Sequence, residues 1–252
     1  MSKQSALGAN FWLGIYDLSG DVGAVSSISS PRGVLDVTAI NKSAPERILA
    51  RRDGSVSFAG FWNTDALQIW AALSAMPTTD ILASVAIPAS SAFAVGDVGC
   101  SLNGKQLAFD QAHGADGSLG VTSQVQANGS ALEWGRLLTA GKVTIGTGTV
   151  NGASIDDGAD NAPSSFGAAA YLHVFSIASG TMGVKLQDSA NDADFLDITG
   201  MAFTNVTAAT SERIVTATDA DIRQYVRLVT TGVHGNAVMA VLFARYLTSQ
   251  AI

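Results

Sequence analysis

Few residues in the chain have types and spacings suited to chemistry. Three arginines, Arg47, Arg51 and Arg52, crowd an Asp53–Gly54 pair in the run "SAPERILARRDGSVSFAGFWN", residues 43–63. Clustered guanidiniums recognise phosphates or carboxylates, because each presents a planar fork of donors. An Asp-Gly pair before an alternating run is also a strong local signal for a hairpin turn. A turn there places Arg51 and Arg52 at the end of the incoming run, beside Asp53 and within reach of Glu46. Balanced charges at a turn suit salt bridges between subunits better than phosphate capture. Exposed pairs contribute roughly 0–1 kcal/mol each, but they set register and partner choice in an assembly.

The other candidates lead to plainer readings. His113, His173 and His234 show no metal-binding spacing such as H-E-x-x-H. His173 lies in a strand-like run, and the other two sit beside glycines in turns. Asp188, Asp192, Asp194 and Asp197 in "DSANDADFLD" could offer calcium oxygens, yet the central Gly and terminal Glu of an EF-hand loop are missing. A solvated hairpin turn accounts for them better, and the same holds for Asp156, Asp157 and Asp160. "GTGTVNGAS" has glycines, but no Lys-Ser/Thr follows and no helix opens after it, so a phosphate loop has no support. Trp134 in "LEWGRLLTAGK" could stack on a base, but with no basic cluster around it packing is the expected role. Cys100 is the single cysteine and can form no internal disulfide. No catalytic, cofactor-binding or metal-ligating residue is assigned, and an enzyme is the least supported class.

The elements that carry these residues are expected to be strands. The 252 residues suit one large or two small domains. Hydrophobic residues make up 47%, enough for a substantial core. Charged residues make up only 14%, well below the usual quarter, and a subunit hidden against neighbours satisfies that most easily. Strand-like runs cover 34–40, 55–61, 81–87 and 119–126, and later 170–178, 182–188, 212–218, 222–232 and 237–246. One run breaks the rhythm. "NTDALQIWAALSAMP" has Asn63 or Thr64 as N-cap, apolar residues at spacings of three and four, and Pro77 as a stop, which predicts a helix over about 64–76. Trp70 is expected to anchor that helix in the core. The Gly/Asn/Asp/Ser-rich span 146–166 reads as a linker. The expected architecture is therefore mainly β. An antiparallel sandwich or barrel covers 1–145 with one flanking α-helix, and a second, C-terminal β-sandwich covers 167–252.

The net charge of −7 opposes nucleic-acid binding. The N-terminal "MSKQSALGANFWLG" has no long apolar run of the signal-peptide kind, and no stretch approaches the length of a membrane span. Phe11, Trp12, Ile15 and Tyr16 gather near this end of the sequence. They are expected to dock on an adjacent subunit, so that a chain lacking residues 1–16 folds but does not assemble.

Three stretches resemble structural proteins of long-tailed bacteriophages: "GVLDVTAINKSAPERILARRDGSVSFAGFWN", "HGADGSLGVTSQVQANGSALEWGRLLTAGK" and "VKLQDSANDADFLDITG" with "ERIVTATDADIRQYVRLVTTG". The family they resemble is the siphovirus major tail protein, or tail tube protein. The resemblance implies a β-sandwich or barrel with a flanking helix, in homo-oligomeric rings, commonly hexameric, that stack into a hollow tube. It implies other phage tail proteins as partners, DNA passing through without specific binding, no membrane and no cofactor. It places the chain in the virion, assembled in the host cytoplasm, and makes the domain after about residue 165 an exterior decoration. An acidic protein also suits a conduit that must not retain DNA. On this view Arg47, Arg51 and Arg52 face carboxylates of a neighbouring subunit, and charge reversal at Arg51 and Arg52 impairs assembly alone. The alternatives are another virion part, such as a capsid decoration or baseplate protein, or a carbohydrate-binding β-sandwich module stacking sugars on Tyr171, Phe175 and Tyr225.

Overall fold

The computed structural model describes residues 7–157 and 164–248, so Asp160 and Pro163 lie outside the described residues. In chain order the elements are β1 (Asn10–Leu13), β2 (Tyr16–Asp17), β3 (Val22–Ser29), β4 (Arg32–Asp36), β5 (Arg47–Arg52), β6 (Ser55–Phe61) and the helix α1 (Ile69–Leu73). Next come β7 (Ile81–Ile87), β8 (Val98–Gln106), β9 (Asp110–His113), β10 (Leu119–Ala127), β11 (Glu133–Leu137) and β12 (Val143–Ile145). The last are β13 (Val150–Asp156), β14 (Ala168–Ile177), β15 (Gly183–Ser189), β16 (Leu196–Ala202), β17 (Thr210–Val215), β18 (Tyr225–Thr231) and β19 (Ala237–Arg245). The protein is mainly β and antiparallel with one short helix, as its sequence predicts.

Most strands form one 13-stranded sheet, alongside a 4-stranded sheet in the order β13-β18-β15-β16 and the two-stranded ribbon β4-β5. A twisted open sheet of more than about 10 strands tends to split, and this one branches at β8. One edge of β8 takes β7 along its length, from Ile81 opposite Gly104 to Ile87 opposite Val98. The other edge is shared: β11 takes Val98–Ser101 and β10 takes Gly104–Gln106. A Cβ on Gly104 would lie 2.1 Å from the Gln126 carbonyl oxygen, so the branch needs glycine for close backbone approach.

The branched sheet folds into layers. The 4-stranded sheet packs on one face of β14 and β19 through Leu172, Leu186, Leu228, Met239 and Phe243. The other face of β14 and β19 packs on β1 and β7 through Trp12, Leu82, Tyr171 and Leu242. The far face of β1 and β7 packs on β6, β10 and α1 through Phe11, Phe58, Leu73, Val85 and Val125. Strands buried on both faces read as near-continuous apolar runs, as "AAAYLHVFSI" and "AVMAVLFAR" do. The half-buried β6 alternates instead, with Val56 and Phe58 inside.

Four expectations are corrected. First, the helix is Ile69–Leu73, not 64–76, and neither Asn63 nor Thr64 caps it. The Asn63 side chain accepts from the Asp65 amide at 3.0 Å, and Leu67 takes a left-handed φ of 65°, so the chain turns before it can wind. Asp21 satisfies the Ile69 amide at 2.9 Å instead. Second, this start phases the helix on Ile69 and Leu73, leaving Trp70 44% exposed rather than in the core. Third, the expected linker 146–166 contains β13, which pairs with β18 and buries Ile155. Hydrogen-bonded strands also cross the expected division, since β11 and β12 both pair with β19. Fourth, Phe11 and Trp12 are 2% and 0% exposed inside this chain and present nothing to a neighbour. Alternation along β1 sends Phe11 to one core and Trp12 to the next. Removing residues 1–16 therefore removes a central strand, not a docking arm.

Candidate assembly surface

The run that drew attention for its arginines builds a projecting ribbon. β3 pairs with β6, and β4 continues beyond β3 to pair with β5, giving one long hairpin. Its turn lies at 37–46, away from Asp53–Gly54. Asp36 closes that tip by accepting from the Thr38 amide at 2.9 Å, while Lys42 pairs with Glu46 at 2.9 Å. Gly54 serves a different purpose, because a Cβ there would lie 2.6 Å from the Leu132 amide nitrogen. The Asp-Gly pair thus lets the hairpin neck pass over β11's lead-in and makes no turn.

Beyond the neck, β4 and β5 pair only with each other, and every residue from 31 to 49 is exposed. Val34 stands opposite Leu49, and Leu35 stands opposite Ile48. Opposed residues share a face and neighbours alternate. One apolar pair therefore lies on each face of the ribbon, each side chain more than half exposed. At the tip Ile40 is fully exposed. An exposed apolar pair on each face, with Ile40 at the tip, makes the ribbon a candidate interaction surface.

Of the expected interface residues, the ribbon sets Arg47 opposite Asp36 at its far end and Arg52 opposite Arg32 at its neck, with Arg51 beside Arg52. Arg32, Arg47 and Arg51 make no ion pair among the described residues. Arg52 sits half-buried at the neck, where its charge acts on Tyr246 of the same chain. Asp53 accepts from the Gln126 side chain at 2.7 Å. Ile15 and Tyr16 are half-buried, with Tyr16 packed against the core. The apolar ribbon residues escaped the sequence reading. Their signal is the pair of doublets Val34-Leu35 and Ile48-Leu49, which put an apolar residue on both faces where a half-buried strand would alternate.

The longest path through the main sheet ends at β17 and β3, with β2, β9 and β12 as further strands that have a single partner, and the 4-stranded sheet ends at β13 and β16. Beside β16 lies a groove of about 450 Å³ lined by Leu196, Ile198, Asp197 and Asp221 among others. Leu196 is 56% exposed there, and Asp221 has no ion partner among the described residues.

The acidic run does not converge on a cation. Asp197 is held below the usual carboxylate range by hydrogen bonds from Lys185 and then Gln187. Asp194 accepts from Asn191 and Asp192 from Ser154. Asp188 accepts from the Arg223 amide at 2.8 Å. Among the described residues no group of three or more His, Cys, Asp or Glu could hold a metal ion.

Two buried polar sites join the layers. His173 Nδ1 donates to the Gly14 carbonyl at 2.7 Å, so Nε2 accepts from the Ser84 hydroxyl at 2.7 Å, and Ser101 donates to Ser84 at 2.5 Å. Ser84 and His173 have the pairing of a nucleophile and base, but each is 1% exposed and no substrate carbonyl can reach them. Burial drives the His173 pKa down to about 4. The second site centres on buried Glu133, which accepts from the hydroxyls of Tyr171 and Tyr246 and from Arg213 at 3.1 Å. Burial, then the Glu133 charge, hold the Tyr171 phenol protonated. Tyr171 is 0% exposed, so it offers no platform for a sugar.

No protein-family model matches the chain, and no curated protein matches it in sequence. Among solved structures it is similar to the Dit (gp 19.1) protein of phage SPP1, described as a paradigm of hub adsorption apparatus in Gram-positive infecting phages. The two are 9% identical over 94% of this chain and 99% of that one, with a TM-score of 0.35. Overlap at that level does not establish a common fold.

Proposed function

We propose that this chain is a structural virion protein of a long-tailed phage. In this reading it is a tail protein that joins copies of itself into rings, and the rings stack into a tube for DNA. The observation that carries the reading is the ribbon, whose apolar residues are exposed on both faces. A monomer leaves that surface in water at a cost; a homo-oligomer buries it against neighbours. The free edges at β3 and β17 support the reading. Unpaired edges are an aggregation hazard alone, whereas joining unlike edges head to tail closes a ring. The likeness of the quoted stretches to tail tube proteins supports the finer assignment. On this reading the partners are further copies and other tail proteins, and the net charge of −7 lets DNA pass without binding. Assembly takes place in the host cytoplasm, and the virion is the final location.

Negative-stain microscopy of the purified full chain, with its mass followed by analytical ultracentrifugation, tests this. Stacked rings or tubes are expected. Single rings that never stack would replace the tube with a baseplate-type role. A monomer at every concentration would overturn self-assembly.

A further inference from the structure

We infer that the ribbon β4–β5 is gripped on its two faces by two different copies of this chain, so that each face makes a separate contact in the assembly. This rests on the self-assembly reading above and names the contact that performs it. Three observations lead to it. The ribbon stands clear of its own body, with every residue from 31 to 49 exposed, so its own chain covers neither face. The two apolar pairs, Val34 with Leu49 and Leu35 with Ile48, point in opposite directions. A strand pair laid on one flat surface buries only one of them. The occupant is identified by charge. Residues 32–52 carry Arg32, Lys42, Arg47, Arg51 and Arg52 against Asp36 and Glu46, in a chain whose net charge is −7. The ribbon is basic, and the body it leaves behind is acidic. A second and third copy of that body offer what the ribbon lacks, apolar surface beside carboxylates. The groove at Leu196 and Asp221 offers both, its lining Arg223 being already paired with Asp188 at 3.8 Å. Duplex DNA would satisfy the arginines but leave both apolar pairs uncovered.

The test uses the full chain and two double variants, Val34→Ser with Leu49→Ser and Leu35→Ser with Ile48→Ser. Both should fold as the parent does, because the ribbon pairs only with itself. Each should arrest assembly, and at different sizes: one lesion leaves closed rings that do not stack, and the other leaves species smaller than a ring. Arrest at the same size would mean a single cleft on one copy, and a variant that assembles normally would mean a one-sided contact; either overturns the inference. Cysteine protection gives an independent readout, because Cys100 is buried with its thiol pushed up to about 12 and stays silent. Val34→Cys and Leu35→Cys should both react with a maleimide in the monomer and both be shielded in the assembly. One of them remaining reactive would overturn the inference. Binding of a short DNA duplex at physiological salt, lost with Arg47→Glu and Arg51→Glu, would overturn it in favour of nucleic acid. A wild-type chain that never leaves the monomer would overturn the self-assembly reading itself and is distinct from all of these.

Discussion

At the scale of single residues, buried polar groups hold the layers in register. Glu133 is a carboxylate on β11 whose partners come from β14, β17 and the residue after β19. Removing it takes the counterion from Arg213 and the carboxylate acceptor from two hydroxyls, leaving only the hydrogen bonds of Arg213 to those hydroxyls. Glu133→Ala is therefore expected to cost about 3–5 kcal/mol in urea unfolding, and Tyr171→Phe about 1–3 kcal/mol. His173 makes stability depend on pH. The unfolded imidazole binds its proton near the ordinary 6.5, whereas the buried one does so only near 4. Stability is complete above about pH 6.5 and falls as the pH drops toward 4, because the unfolded state then binds more protons. The loss approaches about 3 kcal/mol at the bottom of that window. Urea midpoints measured between pH 7 and pH 4 should drop steeply for the wild type and less for His173→Gln. The sequence puts His173 in a strand-like run and His113 in a turn, but neither placement says which one is buried, and His113 is an exposed residue of β9. Only the packing of β14 against β7 separates the two.

At the scale of elements, the ribbon is expected to be separable from stability. Replacing residues 33–50 with a two-residue Asn-Gly turn should shift the unfolding free energy by less than about 0.5 kcal/mol, since the ribbon packs on nothing else in the chain. Sedimentation should then show loss of assembly. Arg47→Glu with Arg51→Glu should weaken assembly in the same assay, and the wild-type assembly should itself weaken as salt rises. The ease of reading each element follows from where its signal lies. β6 and β7 carry their signal within themselves, as alternation or an unbroken apolar run, and both occupy the expected residues. The helix does not. Its start is set by Asp21, 48 positions away, and no local cap announces that. The hairpin was legible as a hairpin, but its turn was misplaced because Gly54 answers to Leu132 across space. β13 escaped notice because an edge strand needs few apolar residues, and only Ile155 of its side chains is buried.

At the scale of the whole molecule, three cores share strands, so the protein should unfold as one unit. Trp12 belongs to the middle core and is packed on by strands from both ends of the sequence. Trp12→Ala is expected to cost about 3–5 kcal/mol, seen as a single shifted transition rather than two. A chain lacking residues 1–16 should fail to fold, which far-ultraviolet circular dichroism would register. The long-range layout also orders events during synthesis. β19 is made after all three of its partners, β11, β12 and β14. Until it emerges from the ribosome, each of those strands has an open edge, and Trp12 waits for side chains more than half the chain away. Translation halted before Ala237 therefore yields a chaperone client rather than a subunit. If the chain assembles as proposed above, such half-made copies would be kept out of its rings.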